Sequence, residues 1–220
     1  MLERSSTPIQ LALVAAMLLA STWAFVQLPD GATVPIHFNT YGQVDGWASA
    51  GLGLFLLPGL AVGLVVLQRL LPRVDPRGEN LLRSAKAVAT IWVAVTALLA
   101  VVHAQIVVTA LGLTEASPKL PLLLIGGLFV IVGNMLGKLR SNFTVGIRTP
   151  WTLANERVWD QTHRFGGKVF VAMGLVLVVL SMSSMPLQWQ APAIVCAALG
   201  AAGAAVLKSY WLWRRQQPGT

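Results

Sequence analysis

Charge is scarce in this chain, and acidic charge above all. Its 220 residues include 8 Asp and Glu against 16 Lys and Arg, and charged residues make up only 11% of the total. Soluble domains carry about 25%, so the composition excludes an ordinary water-soluble globule. Cysteine is reduced to Cys196, inside an apolar run. That excludes an intramolecular disulfide and a cysteine metal cluster, and marks Cys196 as a small packing residue. Missing too are a nucleophile paired with a base, a phosphate-binding glycine loop and a tight metal-ligand spacing. The sequence therefore argues against an enzyme and calls for no cofactor and no metal.

What is abundant is hydrocarbon: 55% of residues are hydrophobic. A helix needs about 20 residues to cross roughly 30 Å of bilayer core. Six segments qualify: 9–26, 48–70, 87–111, 120–139, 169–185 and 192–212. The first follows Arg4 like a secretory signal, but it is long, and Trp23-Ala24-Phe25 is a poor cleavage site. It reads as a retained helix.

The formal net charge of +8 could suggest nucleic acid, yet the basic residues fall between apolar spans. That distribution points to anionic lipid and to topology, with no direct nucleic-acid role. Fifteen of the 16 lie at Arg4, in loops 69–86 and 138–168, or near the C-terminus, leaving Lys119 alone on the other side. The positive-inside rule then puts both termini and loop 138–168 in the cytoplasm.

The expected fold class is an all-α integral membrane protein with six transmembrane helices, both termini cytoplasmic, and a short interfacial helix in the fourth-to-fifth helix loop. Residues 1–70 read as an N-terminal two-helix unit with outer loop 27–47, and 71–220 as a four-helix unit with cytoplasmic loop 133–168. Trp23 and Trp47 mark the outer interface. In the second span, Gly59-x-x-x-Gly63 offers a close helix contact after Pro58. Gly133-Asn134-x-x-Gly137 offers another at the end of the fourth, and Ala197, Gly200, Ala201 and Ala204 give the sixth a smooth face. Such faces suit a homodimer as well as an intramolecular bundle.

Two polar groupings stand out. At the outer side, His37, Asp45 and His103 are the candidates. His37 with Asp30 or Asp45 could ligate a metal, although a lone loop histidine is more often a hydrogen-bonded structural residue. His103, in the outer half of the third span, reads first as a histidine bonded to a neighbouring helix and second as part of an outer polar pocket. At the inner side lies Gly133–Lys168, GNMLGKLRSNFTVGIRTPWTLANERVWDQTHRFGGK. Thr149-Pro150 suits an N-cap followed by proline at the first helical position. A helix is expected from Trp151 to His163, stopped by Gly166-Gly167 and lying flat at headgroup level.

That inner run, with Gly133-Asn134, Lys138, Asn142, Gly146 to Leu153, Glu156, Trp159 and Thr162-His163-Arg164, resembles the signature of the SdpI-type immunity family. The outer pieces Leu28-Pro29-Asp30, Pro35 to Asn39, Gly42 and Asp45-Gly46-Trp47 resemble a domain of unknown function often found at the start of that family. The resemblance implies a bacterial multi-pass inner-membrane protein giving immunity to a sibling-killing peptide toxin. In the founding member's manner, it also implies relay of the toxin's presence to a cytoplasmic transcriptional repressor. Asn134, Asn142, Arg148, Pro150, Trp151, Glu156, Trp159, His163 and Arg164 are then the candidate partner-binding residues. The competing class is a metal-dependent membrane enzyme or small-solute transporter using the outer polar residues.

Overall fold

A computed structural model describes residues 6–39, 41, 43–115, 117, 119–184 and 186–216. Arg4, Gly42 and Met185, used in the sequence reading, lie outside them, as does the side chain of Ala197. The element order is α1 (Ser6–Gln27), β1 (Thr33–Phe38), β2 (Val44–Ser49), α2 (Ala50–Val74), α3 (Gly78–Arg83), α4 (Ala85–Ala110), α5 (Leu120–Leu136), α6 (Pro150–Ala154), α7 (Glu156–Met182) and α8 (Leu187–Arg214). Helices thus form at all six expected positions. Among the described residues α1, α2, α4 and α7 are long and apolar enough to cross a membrane, with a shorter apolar helix at Leu122–Leu136. The 17 residues of α5 reach about 26 Å at 1.5 Å per residue.

Two three-helix groups share the apolar interior. In the first, α1, α2 and α4 pack on one another; in the second, α7 packs on α5 and α8, and the groups meet where α4 touches α5. Val14 and Met17 of α1 close on Ala61 and Val65 of α2. Leu122, Met173, Leu177 and Ala201 fill the second group. The outside is apolar as well: Leu19, Val179 and Leu199 are all exposed. Hydrocarbon tolerates that surface and water does not. Cys196 is exposed on α8, not packed as expected.

Some polar side chains within the helices bond across the bundle, whereas Gln10 Oε1, Trp92 Nε1 and Thr162 Oγ1 are buried without a partner among the described residues. Gln10 Nε2 donates to Thr96 Oγ1 at 3.1 Å, tying α1 to α4. Ser21 Oγ donates to the Leu54 carbonyl at 2.7 Å. His103 Nε2 lies 2.8 Å from Ser21 Oγ and 3.1 Å from the same carbonyl, so three helices meet there. The bonded reading of His103 holds.

The expectation of an all-α chain needs correction at loop 27–47, which folds into an antiparallel β-hairpin. Thr33, Val34, Ile36 and Val44 are β-branched and favour a pleated surface. Asn39 closes the turn, its Oδ1 accepting from the Tyr41 and Gln43 backbones at 2.9 and 3.0 Å. Pro35 is tolerated because a two-stranded sheet has only edges, and the register slips beside it. Val34 is fully buried against Ala24, Leu54 and Val107, so the hairpin caps the first helix group.

A second correction concerns Gly166-Gly167, which does not stop a helix. The expected interfacial helix is only the five residues of α6, and α7 runs unbroken from Glu156 through both glycines. The reason lies in α5. A Cβ on Gly167 would meet the Gly133 carbonyl oxygen at 2.6 Å, and one on Gly133 would meet the Gly167 oxygen at 2.7 Å. The relation repeats at Gly126 and Gly174, at 2.9 and 2.6 Å. The two reciprocal pairs sit seven residues apart on antiparallel helices, so backbones touch at both. By contrast, Gly59 and Gly63 of α2 have nothing within 4 Å of an added Cβ; that expected contact is not made.

Candidate functional site

At the end of the molecule opposite the hairpin, two connections fold together. One is the α2–α4 segment holding α3; the other is 137–155. Asp75 organises the first. Its carboxylate accepts from the Arg77 backbone at 2.7 Å, from the Phe143 backbone at 3.0 Å, and from the Thr144 hydroxyl. The Arg77 guanidinium donates to Ser141 Oγ and, at 2.9 Å, to the Leu153 carbonyl. It also lies 5.1 Å from the Phe143 ring centroid. Asn80 Nδ2 donates to the Ser141 carbonyl at 2.8 Å, and Ser84 Oγ accepts from the Arg140 backbone at 2.8 Å. Sequence reasoning missed this half: Asp75, Arg77, Asn80 and Ser84 are not among its candidate site residues. The turn-forming Asp75-Pro76-Arg77-Gly78 was the only available signal, and it names no partner.

Asn142, fully buried, shapes the second connection. Its Oδ1 accepts from the Thr144 and Val145 backbones at 2.9 and 2.7 Å, and its Nδ2 donates to the Arg140 and Val145 carbonyls at 2.8 and 3.0 Å. All four polar valences are used within one loop, which suits an asparagine and no apolar residue. Gly146 follows with φ of +129°, and a Cβ there would meet His163 Nε2 at 2.4 Å. His163 is also fully buried. The Ile147 backbone donates to its Nε2 at 2.9 Å, so Nδ1 carries the hydrogen and donates to the Trp159 carbonyl at 2.8 Å. These bonds fix a neutral imidazole in one tautomer. The Trp159 ring stacks on it at 3.9 Å, and Trp159 Nε1 donates to the Leu139 carbonyl at 2.7 Å.

The expected helix start is present. Thr149 N-caps α6 with Pro150 at the first position, in a reciprocal capping box with Thr152. Asn155 then caps α7 by accepting from the Arg157 and Val158 backbones. The chain therefore breaks once between Trp151 and Trp159, and the two tryptophans part. Trp159 goes inward. Trp151 packs edge-on against Tyr210 at 5.1 Å and near Trp213 at 6.5 Å. Thr149 Oγ1 meets Ser209 Oγ at 3.0 Å, so the loop is fastened to α8 as well.

Of the nine inner candidates, Asn142, Trp159 and His163 are thus interior, while Asn134, Arg148, Pro150, Glu156 and Arg164 are exposed and Trp151 is half-buried. Arg148 keeps a tie to the loop, donating to the Phe143 carbonyl at 2.7 Å. On the hairpin, His37 Nδ1 lies 2.5 Å from Asp45 Oδ1, both exposed. His103 is held by Ser21 and Leu54 inside the bundle instead of meeting that pair. Among the described residues no group of three or more His, Cys, Asp or Glu could hold a metal ion.

Comparison with known proteins agrees with the resemblance read from the signature. Residues 138–209 match the SdpI/YfhL protein family, and residues 12–62 match a domain of unknown function, DUF1648. Immunity protein SdpI of Bacillus subtilis (strain 168) is 45% identical over 56 residues, which is 25% of this chain and 27% of that relative. The matched stretch therefore spans about a quarter of the curated relative's length. No solved structure matches. The likeness to that family, with several long apolar helices, makes this a multi-pass cell-membrane protein.

Proposed function

We propose that this chain is a membrane immunity protein that protects a bacterial cell against a secreted antimicrobial peptide toxin. The observation that carries the reading is the 45% identity to an immunity protein, reinforced by the family match across 138–209. In the finer form of the proposal, six helices span the inner membrane. Both termini and the folded cap of 75–84 and 137–155 face the cytoplasm. Residues 1–70 form a unit that carries the outer hairpin, and 71–220 form the SdpI-like unit.

The cap offers two kinds of residue. Buried Asn142, Trp159 and His163 hold its shape, and Arg148, Pro150, Trp151, Glu156 and Arg164 form the surface that meets a partner. Arginine and tryptophan are residue types common in binding hot spots. A cytoplasmic repressor is the partner suggested for that surface, and the toxin acts from the hairpin side or within the bilayer. A second copy of the chain is a further candidate partner. Binding and shielding, without bond-breaking chemistry, suffice for this role.

The test is survival. The chain is expressed in a toxin-sensitive host and challenged with graded peptide toxin, with its membrane level verified. Protection above the empty vector is expected; equal killing at matched membrane levels defeats the proposal. Arg148→Ala with Arg164→Ala should weaken protection or signalling while the protein remains in the membrane.

A further inference from the structure

Another arrangement lies on the outward side of α8, adjoining the cap where Tyr210 packs against Trp151, and the immunity reading assigns it no role. Phe165 of α7 and Ala204, Leu207, Lys208, Tyr210 and Trp211 of α8 line an open cleft of about 450 Å³. Leu207 is 68% exposed and Trp211 42%, so the walls are apolar surface left for something other than water. At its rim stand two cations. Lys208 Nζ lies 4.4 Å from the Trp211 ring centroid and 5.7 Å from that of Phe165. The Arg215 guanidinium carbon lies 3.5 Å from the same Trp211 centroid. Positions 204, 208, 211 and 215 follow the i, i+4, i+7, i+11 spacing of one helix face. One indole therefore holds both charges.

Among the described residues no acidic group pairs with either cation; the ion pairs there are His37 with Asp45 and Arg83 with Glu79. No described carboxylate reaches Lys208 or Arg215. An indole face engages a cation without consuming its N–H donors, which stay available to oxygen acceptors. With α8 spanning the membrane, as in the proposed topology, the ligand that complements an apolar cleft and two cations without a described acidic partner has a hydrocarbon chain and an anionic head. Basic pockets between helices near a membrane surface suit phosphate headgroups. The absence of a nearby carboxylate disfavours a headgroup whose positive amine would need a partner.

We propose that the α7–α8 cleft is a binding site for an anionic phospholipid, its acyl chain against Phe165, Ala204 and Leu207 and its phosphate between Lys208 and Arg215. Trp211 preorganises the two cations, and long Lys and Arg stems carry the charge toward the headgroup layer. The site is independent of the toxin, and its failure would leave the immunity reading untouched.

The experiment uses the purified full chain in nanodiscs of phosphatidylcholine, with or without phosphatidylglycerol. Thermal unfolding and lipid retention in native mass spectrometry are the readouts. Wild type should retain phosphatidylglycerol selectively and unfold at higher temperature in its presence. Lys208→Gln with Arg215→Gln should weaken retention about thirtyfold, from roughly fivefold per cation near an anionic surface. Arg83→Gln with Lys86→Gln removes the same charge elsewhere and should behave as wild type. Ala204→Phe fills the cleft with both cations intact and should also lose retention, which covers the case in which the double variant misfolds. Undiminished retention in both cleft variants would overturn the proposal. So would equal retention of phosphatidylcholine, or a full stabilising shift from inorganic phosphate alone.

Discussion

At the scale of single residues, the cap depends on a contact between Gly146 and His163. The backbone at Gly146 has φ of +129°, and the imidazole nitrogen occupies the place of any side chain. Gly146→Ala should therefore destabilise by about 2 kcal/mol or more, combining backbone strain with displacement of the ring. Thermal unfolding in detergent micelles reads this, and an unchanged midpoint would refute the tight fit. His163→Phe keeps a ring beside Trp159 but leaves the Ile147 N–H without its acceptor. It should cost about 1–3 kcal/mol, whereas a silent substitution would mean that this hydrogen bond contributes nothing. The sequence made part of this legible. Thr149-Pro150 announces a helix start because capping is local chemistry written in adjacent residues. Asn142 and His163 do not announce theirs, since their partners come from backbone curvature and from a loop 16 residues earlier. Both stood out in the signature, but as contact residues, when their side chains are spent inside.

At the scale of elements, the apolar runs marked all six long helices, because length and hydropathy suffice to define such a segment. The same local reading failed at glycine. A Gly-Gly doublet after polar residues looks like a helix stop, and Gly-x-x-x-Gly looks like a contact face. Whether either is true depends on what stands opposite. Gly167 faces the Gly133 backbone, and Gly174 faces Gly126, whereas Gly59 and Gly63 face open space. Alanine substitutions should separate the cases. Gly167→Ala with Gly133→Ala must push two backbones apart and should lower the unfolding temperature by several degrees, in keeping with overpacking costs of about 1–3 kcal/mol. Gly59→Ala and Gly63→Ala meet nothing, and should be neutral or raise stability by up to about 1 kcal/mol through helix propensity. The reverse ranking would show that α5 and α7 do not touch as described. The hairpin was hidden for a related reason. Its turn residues were visible, but strands of six residues with proline and two glycines nearby carry little periodic signal.

At the scale of the whole molecule, the two ends differ in charge. The hairpin end carries Asp30, Asp45 and Glu115 with Lys119, whose ammonium is tied to the Ser183 carbonyl at 2.8 Å. The cap end carries nearly all the remaining Lys and Arg. An insertion machinery that retains basic loops inside would fix the cap in the cytoplasm, within reach of a soluble partner, and expose the hairpin to whatever arrives from neighbouring cells. Everything proposed for the cap surface depends on that orientation. It is tested by labelling single cysteines in intact cells with a membrane-impermeant thiol reagent, after Cys196, itself exposed, is replaced by serine. Asn142 is unsuitable as a reporter because it is buried and fully bonded, whereas Lys138 and Tyr41 are exposed. Tyr41→Cys should label in intact cells and Lys138→Cys only after the membrane is opened; labelling of position 138 in intact cells would contradict the orientation.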